Sequence, residues 1–62
     1  MTAKELVEIG QKLYGGHGWQ TAMAAALEVD TSTIRRWIYA DSVPGPAVAA
    51  LRCFVEKKDG KT

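Results

Sequence analysis

Arg35 and Arg36 are the only charged residues between Thr31 and Ala40, and they share that stretch with Thr31, Ser32 and Tyr39. Advancing each residue by about 100°, as ~3.6 residues per turn requires, puts Thr31, Ser32, Arg35, Arg36 and Tyr39 inside an arc of about 140°. Ile34, Trp37 and Ile38 fall on the opposite side, so one face carries hydrogen-bonding groups and the other is apolar. A guanidinium can fork onto guanine O6 and N7 or clamp a phosphate, and hydroxyls near a helix start can reach phosphates or base edges. A helix of this kind suits the major groove of duplex DNA. Gln20 and Thr21 stand where a preceding helix begins, so backbone amides and side-chain donors there would meet the phosphate backbone. The sequence does not say which of Arg35 and Arg36 reads bases.

Other residues capable of chemistry lack the partners that chemistry needs. His17 sits among Gly15, Gly16 and Gly18 with no second ligand or nucleophile at a recognisable spacing, so it is expected to be a loop histidine. Cys53 is the single cysteine, which excludes an internal disulfide, and is expected to be a small core or interface residue. With one histidine the chain has no four-ligand metal set, and residues 15–18 match neither a Walker loop nor a dinucleotide fingerprint. No nucleophile, base and orienting group stand together. The expectation is a non-enzymatic protein with no cofactor and no metal. Trp37, by its apolar spacing, belongs to the core rather than to a stacking platform, and Trp19 is assigned to the core as well. Tyr14 and Tyr39 fit either the core edge or a phosphate contact.

The elements that must hold these residues are helical. Thr2 and Glu5 have the spacing of a capping box, and Leu6, Ile9 and Leu13 then recur on one face, which predicts a helix over 3–14. The glycines at 15, 16 and 18 supply a turn. Alanines dominate 19–27, which predicts a short second helix able to approach a neighbour closely. Asp30 is a good N-cap for a third helix over 31–40, through its carboxylate. Residues 41–45 form a polar turn, and Pro46 suits the first position of a fourth helix running to about Lys57. Val48, Leu51 and Val55 line one face of that helix, with Phe54 alongside, while Arg52 and Glu56 form an i, i+4 pair elsewhere. Residues 58–62 carry no apolar side chain and are expected to fray, leaving 1–57 as the domain.

Counted from Gln20, apolar residues occupy the fourth, eighth, tenth, fifteenth and eighteenth places, namely Met23, Leu27, Val29, Ile34 and Trp37, and Ala24 is the small residue at the fifth. In this the chain resembles the Cro and lambda-repressor-like (XRE-type) helix-turn-helix family. The resemblance runs from about Trp19 to Phe54 and is most specific in Leu27-Glu28-Val29-Asp30 and Ile34-Arg35-Arg36-Trp37. It implies an all-α, compact four-to-five-helix domain containing a helix-turn-helix, acting in transcription regulation. The small size is similar to that of phage and mobile-element repressors, including the regulators that accompany anti-CRISPR genes. One position departs from the pattern: Glu28 stands where the family places glycine for a left-handed turn, at a cost of about 1 kcal/mol.

Size and charge complete the expectations. A chain of 62 residues with 47% hydrophobic residues makes one small, marginally stable domain, and its apolar runs are too short to span a membrane. The N-terminal stretch, broken by Lys4, Glu5 and Glu8, lacks the apolar segment of a signal peptide, which places the protein in the cytoplasm. The net charge of +1 is uninformative as a total. A single recognition helix reads few base pairs, so the expected partner is a palindromic double-stranded operator bound by a homodimer, with Val48, Leu51, Phe54 and Val55 as the dimer contact. The alternative is a helical protein-interaction module, an adaptor or antitoxin-like neutraliser, working through the helix over 46–57.

Overall fold

The capping box at the N-terminus forms as its spacing requires. The Glu5 amide donates to Thr2 Oγ1 at 3.2 Å, and the Thr2 amide donates back to Glu5 Oε1 at 3.2 Å. Helix α1 (Ala3–Tyr14) starts there and ends where Gly15 takes φ 88°. That conformation costs a side-chain-bearing residue dearly. The computed structural model describes residues 1–60, and three further helices follow: α2 (Trp19–Leu27), α3 (Thr31–Ala40) and α4 (Gly45–Lys58). The chain is thus all-helical, with four helices and no strand among the described residues. Helix α4 begins one residue before Pro46, after Pro44, and retains Lys58; Lys61 and Thr62, in the segment expected to fray, lie outside the described residues.

Each helix sends one large side chain fully out of water: Leu6 from α1, Met23 from α2, Ile34 from α3 and Leu51 from α4. Burial of each is worth about 1.5–3 kcal/mol. Trp19, Ala24 and Val43 complete the buried set, and Leu27, Val29, Trp37, Ile38, Val48 and Phe54 pack around it half-buried. Leu51 requires a correction, from dimer contact to core, because a side chain with no exposed surface has none to offer a partner.

One contact has no signal in the sequence. The indole of Trp19 lies against the backbone of Gly10 in the middle of α1, where a Cβ would come within 2.7 Å of Trp19 Cδ2 and Cζ3. Glycine in a helix interior is unfavourable by about 0.5–1 kcal/mol relative to alanine, and here the close approach of the ring requires it. A second long-range tie joins the start of α1 to the end of α3: the Ala3 amide donates to Asp41 Oδ1 at 2.6 Å. A third is the exposed ion pair between Lys12 and Asp59 at 3.1 Å, which sets the C-terminal ends of α1 and α4 side by side.

Gly10→Ala is expected to lower stability by about 1–3 kcal/mol despite alanine's better helix propensity, and Gly10→Ala/Trp19→Leu to recover part of the loss, read by urea unfolding. The Glu5 carboxyl lies below its ordinary 4.5, chiefly because it accepts the Thr2 amide, then the Thr2 hydroxyl, with Arg52 adding a smaller pull. A lowered folded-state value stabilises above the unfolded one and is lost as pH falls through the folded one. Thermal unfolding between about pH 5 and pH 3 should therefore show a steeper acid decline in the wild-type chain than in Glu5→Gln.

Candidate nucleic-acid interface

The turn between α2 and α3 has three residues, 28–30, and its backbone accounts for its angle. Glu28 adopts φ 58° and ψ 42°, a left-handed conformation that glycine would take at less cost. The Val29 amide then donates to the Ala24 carbonyl at 2.9 Å and the Glu28 amide to the Ala25 carbonyl at 3.2 Å. This is a Schellman closure made without glycine. Ala24, whose carbonyl takes part in this closure, is almost fully buried. Helix α3 ends in the same way at Asp41, φ 55°, with the Ser42 amide on the Trp37 carbonyl at 3.1 Å. Two strained left-handed residues thus bracket the helix that carries the arginines.

On α3 the burial follows the wheel. Ile34 is fully buried, Trp37 and Ile38 are half-buried against the core, and Ser32, Arg35, Arg36 and Tyr39 are exposed. Thr31, at the edge of the arc, is half-buried. Tyr39, a large hydrophobic residue, is 96% exposed, whereas Tyr14 packs against the core and its phenol pKa is pushed up by burial. The two tyrosines, equivalent in the sequence, are separated by the fold.

Gln20 and Thr21 fall in the first turn of α2, whose N-cap Gly18 offers no side chain to its amides. Gln20 is half-buried and reaches α3: Arg35 Nε donates to Gln20 Oε1 at 3.4 Å, a long hydrogen bond that ties the start of α2 to the exposed face of α3. No signal in the sequence announces that pairing across fifteen positions. Lys12 and Asp59 form the one ion pair among the described residues, so neither arginine of α3 is neutralised by a neighbouring carboxylate there.

Other expectations change. Asp30 precedes α3, but its carboxylate makes no capping bond; the Thr33 amide donates instead to the Asp30 carbonyl at 2.9 Å. The two carboxylate residues near the helix start, Glu28 and Asp30, are both exposed. Cys53, expected in the core or at an interface, is exposed, and His17 is exposed in the loop between α1 and α2. Among the described residues no three histidine, cysteine or acidic side chains are grouped to hold a metal ion, and no helix is long and apolar enough to cross a membrane. Of the residues assigned to a dimer contact, Val48, Phe54 and Val55 keep some surface and Leu51 keeps none.

The arrangement can present a row of donors, Ser32, Arg35, Arg36 and Tyr39, on a helix fixed from behind by Ile34 and from the side by Gln20. No protein-family model, curated protein or solved structure matches this chain. Strain at the turn is testable: Glu28→Gly should raise stability by up to about 1 kcal/mol, the left-handed penalty less the entropy glycine adds to the unfolded chain. Glu28→Val, β-branched at positive φ, should lower it in the same urea titration.

Proposed function

We propose that this chain is a sequence-specific DNA-binding transcriptional regulator, acting in the cytoplasm as a dimeric repressor of the Cro and lambda-repressor-like kind, with α3 in the major groove of an inverted-repeat operator. The observation that carries this reading is the outer face of α3: two arginines with no carboxylate partner among the described residues, a serine and an almost fully exposed tyrosine, on a helix whose opposite side is locked into the core.

The two arginines divide the work. On the wheel, Ser32, Arg36 and Tyr39 lie within about 35° of the direction opposite the core, while Arg35 is turned about 70° away, toward α2. Arg35 is also the side chain held by Gln20 at the start of α2, where helix amides favour phosphate oxygens. Arg36 therefore reads a base edge, with Ser32 and Tyr39 beside it, and Arg35 with Gln20 and Thr21 grips the backbone and sets register.

A protein-interaction module is the rival reading, favoured by the apolar groove of Leu27, Val29, Trp37, Pro46 and Ala47 at the start of α4. Selection from a random duplex library, followed by binding titrations on the enriched site, separates the two. Arg36→Ala should cost about 1–3 kcal/mol and relax preference at one base pair per half-site. Arg35→Ala should weaken all duplexes alike and flatten the salt dependence by about one unit of log–log slope for each phosphate no longer gripped. Recovery of no duplex, or an affinity indifferent to salt and to both substitutions, would favour the rival.

A further inference from the structure

A shallow groove runs between α1 and α4 on a part of the surface that the DNA-reading helix does not use. Ile9 and Val55 form its floor, and Glu8, Lys12, Arg52 and Glu56 stand around it. The relative position of these charges follows from one contact and one weaker, through-space attraction. Lys12 pairs with Asp59, one turn beyond Glu56, and Arg52 acts on Glu5, one turn before Glu8. Helices α1 and α4 therefore run side by side in the same direction, with Glu8 toward Arg52 and Lys12 toward Glu56. The signs alternate around the apolar floor: negative and positive along α1, positive and negative along α4.

A patch with this alternation is its own complement. Both in-plane twofold axes bring opposite signs together; the one perpendicular to the helices, which lays α4 on α4, sets Arg52 of one copy opposite Glu56 of the other, twice, and Glu8 opposite Lys12, which also pairs with Asp59 of its own chain. We propose that the α1–α4 groove is the surface on which two copies of this chain meet, α4 antiparallel to α4, an assignment that rests on the dimeric reading above. Isologous interfaces need such self-complementarity, since the same residues serve both sides. Val55, expected at a dimer contact through α4 alone, sits on this floor, and Ile9 joins it from α1. A stable interface takes about 800 Å² from each copy. The chain exposes 4158 Å² in all. The contact would therefore occupy about a fifth of the surface and extend past the groove onto both flanking helices. An acidic or basic partner protein would match only half of the alternating charges, which favours a second copy as the occupant.

Charge reversal tests the pairing through its symmetry. In Arg52→Glu alone, two carboxylates face two others across the axis, and in Glu56→Arg alone two cations face two; each variant should be monomeric by sedimentation equilibrium. Mixing the two single variants should restore a dimer containing one of each, seen by native mass spectrometry, and the double variant Arg52→Glu/Glu56→Arg should pair with itself. Both positions are exposed, and circular dichroism on each variant checks that it is folded. Single variants that self-associate like wild type, a mixture that stays monomeric, or a wild-type chain monomeric at millimolar concentration would overturn the groove assignment. Duplex binding is read on the same samples. Wild type that dimerises through the groove without binding any duplex overturns the DNA reading alone, and a duplex-binding chain whose association ignores these charges overturns the groove alone.

Discussion

Four side chains, Leu6, Met23, Ile34 and Leu51, one from each helix, are fully removed from water, and the rest of the molecule depends on their meeting. A chain this short can fill one interior and no more. Every helix therefore commits its single best apolar position there, and the half-buried residues around it, Leu27, Val29, Trp37 and Phe54 among them, seal the edges. What the interior does not need is left free, and on α3 that remainder is the row of donors. Packing takes one face of α3 and leaves the other exposed, as the helical period assigns.

The interior would be consistent with several helix angles were the connections loose. They are not. Two left-handed residues without glycine's freedom, Glu28 and Asp41, close α2 and α3, and the Asp41 carboxylate also accepts the first amide of α1. Trp19 then fixes α2 on α1 through the gap left by the missing side chain of Gly10. Local strain of about 1–2 kcal/mol at each positive-φ residue is tolerated because the surrounding contacts over-determine the backbone. The arginines are consequently carried on a helix whose two ends and inner face are all engaged in contacts.

Much of this is legible in the sequence because it depends on local rules. The capping box at Thr2 and Glu5, the glycine turn after Tyr14, the extent of α2 and α3 and the two faces of α3 all follow from spacing within one or two turns of helix. What is not legible depends on residues far apart. Gly10 does not announce Trp19, and Gln20 does not announce Arg35. Leu51 is misread for the same reason: the apolar face of α4 is visible in the sequence, but whether it meets the chain's own core or a second chain is not. Asp30 has the right type and place for a cap, yet the Thr33 amide goes to its backbone carbonyl and its carboxylate makes no capping bond.

Whether duplex DNA sits on the exposed face of α3, with the start of α2, can be tested without knowledge of the operator. The measurement is of amide and side-chain chemical shifts of the isotope-labelled protein, followed during titration with duplex DNA. The largest changes are expected at Gln20, Thr21, Ser32, Arg35, Arg36 and Tyr39, reversed by added salt, with Gly10 and the interior unmoved. Changes centred on the start of α4, or no changes at low salt, would contradict a DNA-reading α3.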